Sequence, residues 1–132
     1  MLKFKKLNMN PKGRKTGDCS TRAISYALGI TWEDALKLQC EEALKTKYDP
    51  TSRQVMERVL GKFGYIKMRQ PRTEDNLRYT IYSLDKFLSN IDRQNKIVCN
   101  VANHYVVVDG DSYVDTWDSG CKCCGNYYMK VR

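Results

Sequence analysis

From Ile97 onward the chain becomes a succession of β-type runs: Ile97 to Val101, His104 to Val108, Tyr113 to Trp117, and Tyr127-Tyr128-Met129, separated by turn-forming residues. β-Branched and aromatic residues at that density suit a pleated, half-buried surface. The earlier part of the chain is patterned differently. Ala23, Ile24, Ala27 and Leu28 recur at spacings of three and four, as a buried helix face requires, and Gly29 supplies a stop. Thr31, with Asp34 three residues on, caps a second helix that runs through Ala35, Leu36, Leu38 and Ala43 toward Tyr48, ahead of Pro50. Val55, Met56, Val59, Leu60 and Phe63 share one face of a third helix predicted over 52–63, closed by Gly64 and followed by a short strand over 65–68. Helices first and an antiparallel sheet after them make an α+β layout.

The remaining segments read as connections. Residues 1–17 mix Asn8, Asn10, Pro11, Gly13 and Gly17 with basic residues, which predicts an irregular basic lead-in. Residues 69–80 are charged and contain Pro71, a loop pattern, with a short helix predicted over 83–91. A length of 132 residues fits one domain spanning 1–132. No apolar run approaches the ~18 residues of a membrane span, and the basic start lacks the apolar core of a secretory signal. The expectation is a cytoplasmic protein of a bacterial cell or phage-infected host, with no membrane partner.

In a reducing compartment Cys19, Cys40, Cys99, Cys121, Cys123 and Cys124 are expected as thiols rather than as three disulfides. Cys121, Cys123 and Cys124, with Cys99 or Cys40, are the candidates for a structural zinc site, although they lack spaced Cys-x-x-Cys pairs. The net charge of +8 draws on Lys3, Lys5, Lys6, Lys12, Arg14 and Lys15, which would attract an acidic partner or nucleic acid. Tyr127 and Tyr128 beside Lys130 and Arg132 offer base-stacking candidates, and an alternating strand explains them equally well.

The chemistry-bearing pattern is one cysteine and one histidine. Cys19 opens the first helix, where unpaired backbone amides and the positive dipole end favour a thiolate. His104 is the only histidine in the chain, so it is the only imidazole base available to that thiol within it. It shares a strand face with Val106 and Val108, the face on which the first helix is expected to pack. Taking Asp109-Gly110 as a two-residue hairpin loop sets His104 directly opposite Asp115, close enough for the carboxylate to orient the ring. Taking Gly110-Asp111 as the loop, or a four-residue loop, sets His104 opposite Trp117 instead. Asp115 is therefore the candidate orienter and Asp118 the fallback.

Cysteine on the first helix, then histidine and aspartate on later strands, resembles the order in papain-like cysteine peptidases. Gly17-Asp18-Cys19 resembles the start of that family's central helix, with Asp18-Cys19 most similar to bacterial processing peptidases of the bacteriocin-leader type. His104 to Val108 resembles the family's histidine strand, and Asp115-Thr116-Trp117 is similar to the Asn-Ser-Trp motif of papain with aspartate in place of asparagine. The resemblance implies a papain-like fold and a peptidase or amidase with a Cys19-His104-Asp115 triad, acting on a peptide or protein through a thioester, without a cofactor. It also implies that Trp117 shields the His104-Asp115 hydrogen bond. Gly13 stands where papain has its oxyanion glutamine, and Ser20 rather than tryptophan follows the cysteine. A side-chain oxyanion donor is then sought in Asn8, Asn10 or Thr16, with Asn10 favoured. The competing reading is a papain-like binding module without turnover, of phage or mobile-element type, that holds nucleic acid or a host protein on its basic surface.

Overall fold

The computed structural model describes residues 1–130, so Arg132 lies outside the described residues. It is an α+β fold of three helices and one six-stranded mixed sheet. In chain order come β1 (Lys3–Lys6), α1 (Cys19–Leu28), α2 (Trp32–Thr46), α3 (Arg53–Lys62), β2 (Tyr65–Met68), β3 (Ile97–Val101), β4 (His104–Asp109), β5 (Ser112–Asp115) and β6 (Tyr127–Lys130). The strands lie in the order β1-β5-β4-β3-β6-β2. All pairs are antiparallel except β1 with β5.

Local chemistry explains the helix limits. Thr31 and Ser52 each accept a hydrogen bond from the amide three residues on, capping α2 and α3, an interaction worth about 1 kcal/mol per helix. Gly29 ends α1 in the left-handed region at φ 67°. The expected helix over 83–91 is instead two single 3-10 turns, Leu84–Lys86 and Asp92–Gln94. They are held by short-range bonds such as Ser89 N–H to Asp92 and Asp92 N–H to Ser89.

The sheet separates two apolar layers. On one face Ala23 and Ile24 of α1, Ala35 of α2 and Val55, Met56, Val59 and Leu60 of α3 pack on Val98, Tyr105, Val107 and Tyr128. On the other, Leu2, Ile81, Leu84 and Leu88 cover Cys99, Val106, Val108 and Tyr113. Burying each of these larger aliphatic side chains contributes roughly 1.5–3 kcal/mol. Val106 and Val108 thus face away from α1, contrary to the expected packing. The helix sits on the Tyr105 and Val107 side because it is there that α2 and α3 complete its apolar surroundings.

Two further expectations are corrected. The lead-in is not irregular throughout, since Lys3–Lys6 forms edge strand β1 parallel to β5. Only Phe4 carries a pattern signal in Lys-Phe-Lys-Lys, and it packs its ring 5.4 Å from that of Tyr113. Lysines on an exposed edge are what keeps such a strand from pairing with other chains. The β4–β5 loop is Gly110-Asp111, with Asp109 paired to Ser112. Arg93 fixes this choice by donating to Gly110 O at 2.7 Å and Asp111 Oδ1 at 2.9 Å. Asp109 stays in the strand, accepting from Tyr26 on α1 at 2.6 Å.

Candidate active site

The start of α1, the start of β4 and the ends of β1 and β5 meet at one end of the sheet. β3 and β4 are joined by Ala102 and Asn103, both left-handed at φ 46° and 66°, the backbone a two-residue type I′ hairpin loop demands. Alanine pays strain there, and the turn delivers His104 as the first residue of its strand. From that position the ring reaches past the end of the sheet to α1, although it shares a face with Val106.

Val107 pairs with Val114, and extending that register by one residue sets Val106 level with Asp115, so His104 meets Asp115 diagonally rather than directly across. Diagonal neighbours on one face remain within reach of longer side chains, and His104 Nε2 lies 2.7 Å from Asp115 Oδ2. Asp115 is almost fully buried and also accepts from Ser119 Oγ at 2.6 Å and from the Thr116 amide at 2.7 Å. With Nε2 committed to Asp115, Nδ1 is the nitrogen left for Cys19, whose thiol and the ring shift each other's ionisation.

Electrostatics favour a thiolate-imidazolium pair. Burial works against the charged ring, but hydrogen bonds and charges from Asp115 and Cys19 outweigh it and lift His104 to about 9. Burial also pushes the Cys19 thiol up. The hydrogen bond and charge of His104, the Tyr105 amide and the charge of Arg22 reverse that and hold Cys19 below the ordinary thiol value. Cys99 behaves oppositely: its contact with Cys124, burial and that neighbour's charge raise it well above the ordinary value, as befits a core thiol.

Asp18 shows how the helix start stays open to an anion. It stands at the N-cap yet makes no side-chain cap hydrogen bond. Its carboxylate turns instead to Arg22 Nε at 2.9 Å, Trp32 Nε1 at 2.9 Å and Asn10 Nδ2 at 3.1 Å. Burial opposes its ionisation, but these bonds and the Arg22 charge hold its pKa below the ordinary carboxylate value. The first amides of α1 are left without a capping side chain, as thiolate or oxyanion binding requires.

Sequence reasoning missed Arg22 and Ser119. Arg22 joins the two sides of the site, pairing with Asp18 and lying 3.8 Å from Asp115 through Nη1, which also donates to Thr116 Oγ1 at 3.3 Å. The signal was present as an i, i+4 acid-base pair on the cysteine helix. Ser119 lies in an irregular loop and left no such trace.

The other candidate residues have different places. Trp117 sits with its ring centroid 5.4 Å from that of His104 and remains half-exposed, covering the imidazole from outside. Asp118 is not an orienter: it accepts from Tyr82 and Tyr113 and from the Gly120 amide. Asn10 is not aimed at the thiol, because its amide nitrogen is bound to Asp18 and its oxygen accepts from the Lys12 amide at 3.0 Å. Thr16, whose hydroxyl has no hydrogen-bond partner among the described residues, lines the groove instead. The cysteine cluster is dispersed, with Cys121 exposed and Cys124 buried. Among the described residues no three His, Cys, Asp or Glu groups converge as a metal site. All six cysteines are free. Tyr127 and Tyr128 are buried, and Tyr128 donates to Glu57, so neither offers a stacking face. No helix among the described residues is long and apolar enough to cross a membrane.

Cys19 and His104 open together onto a groove of about 810 Å³, walled on one side by residues 13–18 and on the other by Thr116 and Trp117. No protein-family model, curated protein or solved structure matches the chain.

Proposed function

We propose that this chain is a papain-like cysteine hydrolase, a peptidase or amidase working through a Cys19-His104-Asp115 triad. The observation that carries the reading is the meeting of the Cys19 thiol and the His104 imidazole, each shifting the other's ionisation, with the imidazole hydrogen-bonded to a buried carboxylate, at the mouth of one groove. In the proposed reaction the Cys19 thiolate attacks a peptide or amide carbonyl, and the oxyanion faces the Cys19 amide at the start of α1. His104 Nδ1–H protonates the leaving amine, producing a thioester. His104 then takes a proton from water, which attacks the thioester and frees Cys19. Asp115, held by Ser119 and Thr116, keeps Nε2 protonated throughout.

A second reading, a binding module of the same fold without turnover, draws on Lys6, Arg14 and Lys15 along the groove. A fluorogenic peptidyl-amide library separates the two. The hydrolase reading expects turnover that disappears in Cys19→Ser and His104→Ala, with an acyl adduct on Cys19 detectable by intact mass after acid quench. Turnover that persists in Cys19→Ser would assign the hydrolysis to something else and leave only the binding module.

A further inference from the structure

The groove wall is built rather than draped. The Leu7 amide donates to the carbonyl of Asp115 at 2.9 Å, so the chain leaving β1 is attached to the triad residue itself. Asn8 Nδ2 donates to Arg14 O at 3.3 Å, the Gly13 amide donates to Asn10 O at 2.9 Å, and Asn10 closes the segment onto Asp18. Gly13 turns at φ 62°, a conformation that suits glycine.

This wall carries Lys6, Arg14 and Lys15, all exposed, all lining the groove, and none with an ion-pair partner among the described residues. The other lining cation, Arg22, is already paired with Asp18, the one carboxylate in the lining. The groove therefore presents three uncompensated positive charges beside the nucleophile.

We infer that the substrate of this site is an acidic polypeptide, whose Asp or Glu side chains flank the carbonyl given to Cys19 and pair with Lys6, Arg14 and Lys15. The reacting bond in this inference rests on the hydrolase reading; the charge preference of the wall does not. A polypeptide fits better than a nucleic acid for two reasons. A thiolate beside an imidazolium attacks carbonyls. Moreover, nucleic-acid binding grows with the number of phosphates neutralised, and three cations supply few; the lining offers a single aromatic ring, Trp117, tilted at 33° over His104, where single-strand binding stacks successive bases on several. Each exposed ion pair is worth about two- to fivefold in affinity, so three give on the order of tenfold or more.

The test is protection of Cys19 from iodoacetamide, read by peptide mass spectrometry against Cys121, an exposed thiol outside the groove. The probes are a peptide of alternating Glu and Ala, its Ser-for-Glu and Lys-for-Glu counterparts, and single-stranded oligodeoxythymidine of matched charge. Each protein is compared with itself with and without probe, so changes in intrinsic thiol reactivity cancel. The Glu peptide should protect at about tenfold lower concentration than the Ser peptide. The advantage should vanish in Lys6→Ala/Arg14→Ala/Lys15→Ala and at high salt, and the Lys peptide should not protect. Equal protection by Glu and Ser peptides, protection unchanged in the triple variant, or stronger protection by the oligonucleotide each overturns the inference. The probe-free reactivity of Cys19 across pH reports on the hydrolase reading alone, so the two fail separately.

Discussion

Replacing Asp115 with asparagine keeps the shape of the residue and removes its charge, and the surrounding bonds dictate how the site responds. Two donors, His104 Nε2 and Ser119 Oγ, converge on Asp115 Oδ2 at 2.7 and 2.6 Å, against one, the Thr116 amide, on Oδ1. The amide oxygen therefore takes the Oδ2 position, and the Thr116 amide loses its acceptor. Nε2 keeps its proton and Nδ1 still faces Cys19, as with the asparagine of the papain motif, so the variant removes the charge and not the tautomer. A hydrogen bond to a charged group, worth about 1.5–3 kcal/mol, becomes a neutral one of about 0.5–1.5 kcal/mol. At 1.36 kcal/mol per pH unit, His104 should fall by roughly 1 pH unit from its value of about 9. Because His104 is the sole histidine, its ring Cε1 proton gives a single resonance to follow by NMR titration. Cys19 should lose part of its advantage toward iodoacetamide near neutral pH in the same variant. A resonance that titrates at the same pH in wild type and Asp115→Asn would refute the reasoning.

Arg22→Ala removes the one cationic partner of Asp18, which keeps its bonds from Trp32 and Asn10, and the neighbouring cation of Asp115, both buried. Urea unfolding should report a loss of about 1.5–3 kcal/mol, which Arg22→Lys restores only in part because an ammonium lacks the guanidinium fork. Ala102→Gly relieves a left-handed alanine at φ 46° and should change stability by at most about 1 kcal/mol, raising the thermal midpoint, with a fall indicating that the turn is not strained. The folded His104 lies above its unfolded value of about 6.5, so its stabilising contribution is full below that pH and is lost as pH rises through about 9. The difference in unfolding free energy between wild type and His104→Ala, measured by urea titration at several pH values, should therefore shrink toward alkaline pH; a constant difference would contradict the assignment.

The range of each interaction decided whether the sequence disclosed it. The capping hydroxyl of Thr31, the stop at Gly29 and the apolar stripes of α1 and α3 act within a turn or two, and each was legible. β1 was hidden because its pairing with β5 joins residues over a hundred positions apart and leaves one apolar residue as its trace. The β4–β5 register turned on Arg93, a buried side chain from a distant 3-10 turn. The reading that placed Asp115 beside His104 thus reached the right contact through the wrong pairing, since a one-step shift along the same face still leaves the carboxylate within reach. Cys19 and His104 were legible because helix position and the scarcity of histidine act as constraints before any fold is known. Asn10 was misread because hydrogen-bonding capacity shows in sequence while direction does not, and its amide was already required by Asp18.

The central claim is that Cys19 is an activated thiolate maintained by His104. Alkylation by iodoacetamide from about pH 5 to 9, spanning the ordinary His and Cys ranges, with each cysteine quantified by peptide mass spectrometry, addresses it directly. The exposed thiols Cys40 and Cys121 serve as internal references. The account predicts that Cys19 is modified selectively at pH values well below the ordinary thiol range, and that this selectivity is lost in His104→Ala. A Cys19 that reacts no faster than Cys40 and Cys121 across the whole range would contradict it.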